Sequence, residues 1–267
     1  MTGVATLLRH SLRRWRGFLA TLVVGLAAFQ IFMIAAARGL ERSGRFAQLG
    51  ALLPDFMQQW TNMAAASFRG FVLFGYSHPL VQLFLIAMAI AMGTEPAGEI
   101  ESRFVDVLMA RPVDRAAPIA RTALLMALAT AGAIASMLTA TWIGLRVLAP
   151  ESSRAPDARV VLSLAVNLAC LVLAWGGVAL ALASAAKRRA VAAAAGGFLA
   201  FAGFVIDYVG RFWSAVEPAS RVSPFHYFDP FGLIGGARLE WSNLAVLAGV
   251  FAGGAAIAAV VYAKRDL

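Results

Sequence analysis

Cysteine is nearly missing from this chain, with Cys170 alone among 267 residues. One thiol excludes an internal disulfide and any cysteine-based metal site, and with apolar neighbours it reads as a small hydrophobe. Charge is also scarce, at 14% of residues where soluble domains carry about 25%. The three histidines, His10, His78 and His226, are scattered, and no H-E-x-x-H occurs. The G-x-x-x-x-G-K-[ST] pattern is missing too, so the chain has no phosphate-cradling loop of that kind. No long polar linker divides the sequence, which reads as a single membrane domain over residues 1–267.

What is present is hydrophobicity. Apolar residues make up 61% of the chain, the mean hydropathy is +0.76, and the excess comes as long uninterrupted runs. A helix needs about 20 apolar residues to cross the hydrocarbon layer. Six runs qualify, at about 17–37, 71–93, 120–145, 160–183, 190–206 and 244–262. The expected fold class is therefore all-α: a polytopic membrane protein with six transmembrane helices. Within the second run, His78-Pro79 marks a kink or a late start. The first run is longer than the 7–15-residue core of a signal peptide, which argues against cleavage after Ala37.

The net charge of +9 does not indicate a nucleic-acid partner. The basic residues sit at the ends of apolar runs, where they set topology. Segments 1–16, 94–121, 187–189 and 264–267 are roughly twice as dense in Lys and Arg as the alternate connections, which places both termini in the cytoplasm. Before the first span, Val4, Leu7, Leu8, Leu12 and Trp15 share one helical face and Arg9, Arg13 and Arg16 the other. That pattern suits an N-terminal interfacial helix, apolar side toward the bilayer. The alternative is a basic tail that only fixes orientation.

Polar residues near the spans give few leads to chemistry. Asp207 is the one acid in or just past a span, and Arg211 one turn later suggests an interfacial ion pair. Ser77-His78 are adjacent, but adjacency supplies neither the reach nor the orienting group that a nucleophile needs. His226 and Asp229 have i, i+3 spacing, yet two ligands do not make a metal site. Gly249 with Gly253, and Ala193 with Gly197, are small-xxx-small pairs of the kind that let helices approach in lipid.

The most informative stretch is the connection from Thr94 to Arg121. Ile100, Phe104, Val107 and Leu108 would share one face of a helix over about 98–110, with Glu99, Glu101, Arg103 and Asp106 elsewhere on it. Pro112 should end that helix, because the residue before a proline leaves the α region. A short amphipathic helix between two spans either rests on the membrane or docks a soluble partner.

At this point the chain resembles a family. The acidic stretch leading into Leu108-Met-Ala-Arg-Pro-Val-Asp-Arg115 is similar to the segment between spans two and three of bacterial ATP-binding-cassette permeases of the type 2, exporter-like class. Arg103-Phe104 stands where that family usually has Gly-Thr. Ser223 to Pro230 (S-P-F-H-Y-F-D-P) resembles the stretch before the last span in such permeases, and Tyr262 to Leu267 resembles their C-terminus. The resemblance implies a transport subunit, not an enzyme, with ATP and magnesium held by a separate ATPase partner and no cofactor on this chain. It implies pairing with a second permease subunit, identical or not, in a bacterial inner membrane. Glu99, Glu101, Arg103, Phe104, Asp106, Leu108, Arg111 and Arg115 would form the cytoplasmic coupling helix that meets the ATPase. Phe225, His226, Tyr227, Phe228 and Asp229, in an aromatic-rich connection, would line a gate on the external side. The alternatives are a non-transporting membrane anchor for a partner and, less favoured, an integral-membrane enzyme.

Overall fold

The computed structural model describes residues 2–46, 67–104, 116–151 and 154–265. Among these residues there are helices and turns and no strand. The helices are α1 (Thr2–Arg42), α2 (Phe68–Phe74), α3 (Pro79–Gly93), α4 (Glu95–Glu101), α5 (Ala117–Leu148), α6 (Ala158–Ala185), α7 (Arg189–Gly210), α8 (Glu217–Ser220), α9 (Pro230–Ile234) and α10 (Trp241–Lys264), with a 3₁₀ turn at Pro224–Tyr227. Six segments are long and apolar enough to cross a membrane: α1, the run from α2 through α4, α5, α6, α7 and α10. Each falls on one of the six apolar runs of the sequence. The chain is an all-α polytopic membrane protein.

α1 runs unbroken for 41 residues, roughly 60 Å at 1.5 Å per residue. The basic amphipathic stretch is thus the first third of a spanning helix rather than a separate element. The second span, by contrast, is broken. Ser67 caps α2 through its side chain, which accepts from the Gly70 amide, and His78 caps α3 in the same way for Leu80. Pro79, with no amide hydrogen to offer, occupies the first turn of α3, where none is needed. Irregular backbone at membrane depth is tolerated only when buried and hydrogen-bonded. Here Gln30 Nε2 donates to the Val72 carbonyl (3.2 Å), Gln82 Nε2 to Ser77 (2.7 Å) and Ser77 Oγ to Phe74 (3.2 Å). At the break, a Cβ on Gly75 would meet the end of the Gln30 side chain.

α6 is the hub of the bundle. It packs against α10 most extensively, and against α3, α5 and α7, and it is the most buried of the six spans. Such packing in lipid depends on close backbone approach rather than on the hydrophobic effect. Gly177 and Gly254 supply it between α6 and α10, each leaving space that the other helix's backbone occupies. Gly93 does the same where α3 crosses α6, its missing Cβ leaving room for the Gly176 carbonyl, while Gly176 makes room for the Met126 side chain of α5. The small-residue pairs read from the sequence are not the closest contacts within this chain. Gly249, Gly253 and Gly197 face open space within the chain, and the close approach falls one residue away, at Gly254.

Candidate functional site

Polar side chains gather at the two ends of the bundle. At one end, α3 passes into α4 with only Thr94 between them. Pro96 sits in the first turn of α4, and Glu95 and Glu99 fall one turn apart, both turned inward. Arg121, on the first turn of α5, meets both: its Nη1 is 2.5 Å from Glu99 Oε1 and its Nη2 3.4 Å from Glu95 Oε2. From α1, Arg14 Nη2 and Trp15 Nε1 each reach Glu95 Oε1 at 2.6 Å. The side chains of Glu95 and Arg121 are 0% and 3% exposed. Charges this deep persist only when paired and hydrogen-bonded, so the network pins α1, α4 and α5 together.

The network's rim continues onto α7. The Arg189 amide donates to Glu101 Oε2 (2.9 Å), its Nη2 donates to the Ala91 carbonyl (2.9 Å), and its guanidinium lies 5.9 Å from the centre of the Trp15 ring. Arg265 closes the same end, with Nη1 donating to the Ser184 and Ala186 carbonyls at 2.9 Å each. A cleft of about 620 Å³ opens between these elements, lined by Arg14, Trp15, Glu101, Phe104 and Arg189 among others.

Several sequence expectations for this region are revised. The helix expected over 98–110 begins at Glu95 and ends at Glu101. Ser102 follows it, and Arg103 adopts φ 55°, a left-handed conformation that stops an α-helix. Ile100 and Phe104 therefore do not share a helical face. Glu99, expected to meet a partner, is instead buried against Arg121. Glu101, Arg103 and Phe104 are exposed. Asp106, Leu108, Arg111 and Arg115 lie outside the described residues. Glu95, Arg14 and Arg121 were not singled out from the sequence, and Trp15 was read only as part of the apolar face of the N-terminal helix. A glutamate followed by proline straight after an apolar run, and an arginine inside the next one, were the available signals.

At the opposite end, Asp207 is buried near the last turn of α7. Its Oδ2 accepts from Arg211 Nε (2.9 Å) and lies 2.8 Å from Nη2, so the ion pair expected one turn apart is formed. His226 Nδ1 lies 3.0 Å from Ser220 Oγ and 3.9 Å from Asp207 Oδ1. Serine and carboxylate thus converge on the same ring nitrogen. A hydrolytic triad needs them on opposite nitrogens, so this trio does not have that arrangement. Asp229 Oδ1 accepts from the Gly232 amide and caps α9. Among the described residues, no group of three or more His, Cys, Asp or Glu side chains could hold a metal ion.

The residues expected to line a gate lie in the 3₁₀ turn and just after it, within a compact knot formed with α8 and α9. Phe225 and Phe228 are buried, His226 and Tyr227 are half-buried, and Asp229 is exposed. Phe225 packs on Trp175 of α6 and Phe204 of α7, with ring centres 5.6 and 5.5 Å apart. Ser223 Oγ ties the knot to α7 by donating to the Gly203 carbonyl at 2.9 Å.

Six spans, five of them around central α6, with a buried ion network at one end and an aromatic knot at the other, define a multi-pass membrane protein. No family model matches the chain, and no characterised protein matches it.

Proposed function

We propose that this chain is the membrane-spanning subunit of an ATP-binding-cassette transporter, moving a substrate across the membrane when a separate ATPase partner binds and hydrolyses ATP. The observation that carries the reading is the way α4 is held. A lever that converts a partner's motion into span rearrangement must be rigid where it joins the spans and free where it meets the partner. Arg121, Glu95 and Glu99 lock the root of α4 to α5 and α1, Glu101 at its end accepts from the Arg189 amide, and Arg103 and Phe104 remain exposed beyond it. Arg14, Arg121, Arg189 and Arg265 all stand at this end, in the basic-rich segments that favour the cytoplasm. The ATPase would dock there, and the aromatic knot would close the external side. The resemblance of the 99–115 segment to exporter-like permeases supports the same assignment.

The test is reconstitution with a P-loop ATPase co-expressed from the same operon. Wild type should co-purify with the ATPase and stimulate its ATP hydrolysis. The pair Glu101→Lys with Arg103→Glu should reduce recovery at least about tenfold, since charged rim contacts set partner choice, while membrane insertion stays unchanged. Equal recovery of the ATPase with both proteins would remove the docking role. A protein that retains the partner without stimulating hydrolysis would instead be a membrane anchor.

A further inference from the structure

The first helix carries cations that the ion network does not use. Residues 1–40 hold no aspartate or glutamate, and Arg9, Arg13 and Arg16 fall at i, i+4 and i+7, on one face of α1. All three are exposed, and among the described residues none of their guanidiniums makes an ion pair. Arg14, in the same stretch, turns aside to Glu95. The apolar side of this stretch is not turned to the bilayer. Leu8, Leu12 and Trp15 pack on the bundle core, where α1 lies chiefly along α5. The helix therefore stands with the bundle and presents its arginines outward.

Their depth follows from the unbroken helix. The apolar run begins at Gly17, so at 1.5 Å per residue Arg16 and Arg13 stand about 2 and about 6 Å outside it, and Arg9 about 12 Å. The polar layer on each side of the hydrocarbon is about 5–8 Å deep, which puts Arg13 and Arg16 among the headgroups and Arg9 beyond their outer edge. Below Arg13, at i+7, i+11 and i+18 on the same stripe, come Ala20, Val24 and Ile31. All three are exposed, Val24 at 66% and Ile31 at 40%. A Cβ at Gly17, between the arginines and this track, would meet nothing within 4 Å. From Arg13 to Val24 the stripe measures about 16 Å, close to one leaflet's half of a hydrocarbon core about 30 Å thick. One helix face thus offers cations at headgroup depth and, directly beneath them, an apolar track as long as an acyl chain.

We infer that this face of α1 binds an anionic phospholipid, its phosphate held by Arg13 and Arg16 and an acyl chain lying along Ala20, Val24 and Ile31. Charge selects the class. A zwitterionic headgroup brings an ammonium that would meet three cations and no acceptor. The described carboxylates at this end, Glu95, Glu99 and Glu101, are engaged by Arg14, Arg121 and the Arg189 amide. Guanidinium is also the side chain whose paired donors match phosphate oxygens. A soluble acidic partner could meet the arginines but not the apolar track below them. A second copy of this chain could cover the track, but a two-fold axis along the membrane normal would set the same arginines against each other. The binding claim concerns this chain without any ATPase, so its failure and the failure of the transport reading appear in different measurements.

The experiment is native mass spectrometry of the full chain in nonionic detergent with equimolar phosphatidylglycerol and phosphatidylcholine of matched acyl chains. Wild type should retain phosphatidylglycerol at least about tenfold over phosphatidylcholine, since each basic residue near an anionic headgroup is worth about fivefold. Arg13→Gln with Arg16→Gln should bring the ratio close to parity, and Arg13→Lys with Arg16→Lys should keep most of it. Lys187→Gln with Arg188→Gln removes two exposed cations between α6 and α7 and should leave the ratio unchanged, which separates a site on α1 from net charge. Glycerophosphoglycerol should compete only weakly, because it lacks the chains. Equal retention of the two lipids by wild type overturns the site. So does a ratio that survives the glutamine pair on α1, or one that falls equally with the pair at Lys187 and Arg188. A dimer that forms only as the lipid leaves would give the face to a second copy and overturn it too. Glycerophosphoglycerol bound as tightly as the lipid would overturn the role of the apolar track.

Discussion

Arg121 and Glu99 are 22 residues apart in sequence and 2.5 Å apart in space, both nearly excluded from solvent. One residue opens the third span and the other closes the second, so their ion pair fixes how the connection between those spans leaves the bundle.

Removing Arg121 should therefore be far more damaging than removing an exposed arginine. Arg121→Met strands Glu99 in a buried site and leaves Glu95 to Arg14 and Trp15, and breaking a buried pair costs about 3–5 kcal/mol. Glu99→Gln together with Arg121→Met should recover much of that loss, because no full charge then remains unpaired at Glu99. Thermal unfolding of the purified protein in detergent measures both. A double variant no more stable than Arg121→Met would show that the charge is not what matters.

The α6–α10 contact makes a sharper distinction. Gly254→Leu places a side chain into the Gly177 backbone, and overpacking a well-filled contact costs about 1–3 kcal/mol. Gly253→Leu, one residue earlier, points into open space within the chain and should leave unfolding of the monomer unchanged. The two variants, compared by fluorescence-detected size exclusion after heating, should separate clearly. Equal loss would mean that Gly253 also faces a partner, as the second permease subunit of the proposed assembly would supply.

The bond between Tyr76 Oη and Thr141 Oγ1, 2.8 Å long and fully buried, joins the broken second span to α5. Thr141→Val should cost about 1–3 kcal/mol, the penalty for leaving the phenol without its partner. Adding Tyr76→Phe to it should restore part of the stability. Denaturation of the single and double variants gives the coupling directly.

Topology is tested by reporter fusions. With the denser basic flanks inside, the C-terminus would lie in the cytoplasm and the connection around Asp157 outside. A phosphatase reporter should be active in the loop near Asp157 and silent at the C-terminus. The reverse result would put the Glu95 network on the external side and dissociate it from any ATPase.

The sequence by itself determined the number, length and approximate limits of the spans, because a bilayer of fixed thickness demands long apolar runs and little else produces them. It also determined the break at Pro79, which follows from a missing amide hydrogen, and the Asp207–Arg211 pair, which needs only one helical turn. What only the tertiary structure decided depends on residues distant in the chain. Periodicity put Glu99 off the apolar face of its helix, but Arg121 lies 22 residues away, and no local pattern shows that the two meet. The small-residue pair at Gly249 and Gly253 has the right spacing for a contact, yet α10 is rotated so that Gly254 meets Gly177. Spacing defines a face of a helix, whereas the rotation that chooses which face is buried comes from the fit of all its neighbours at once.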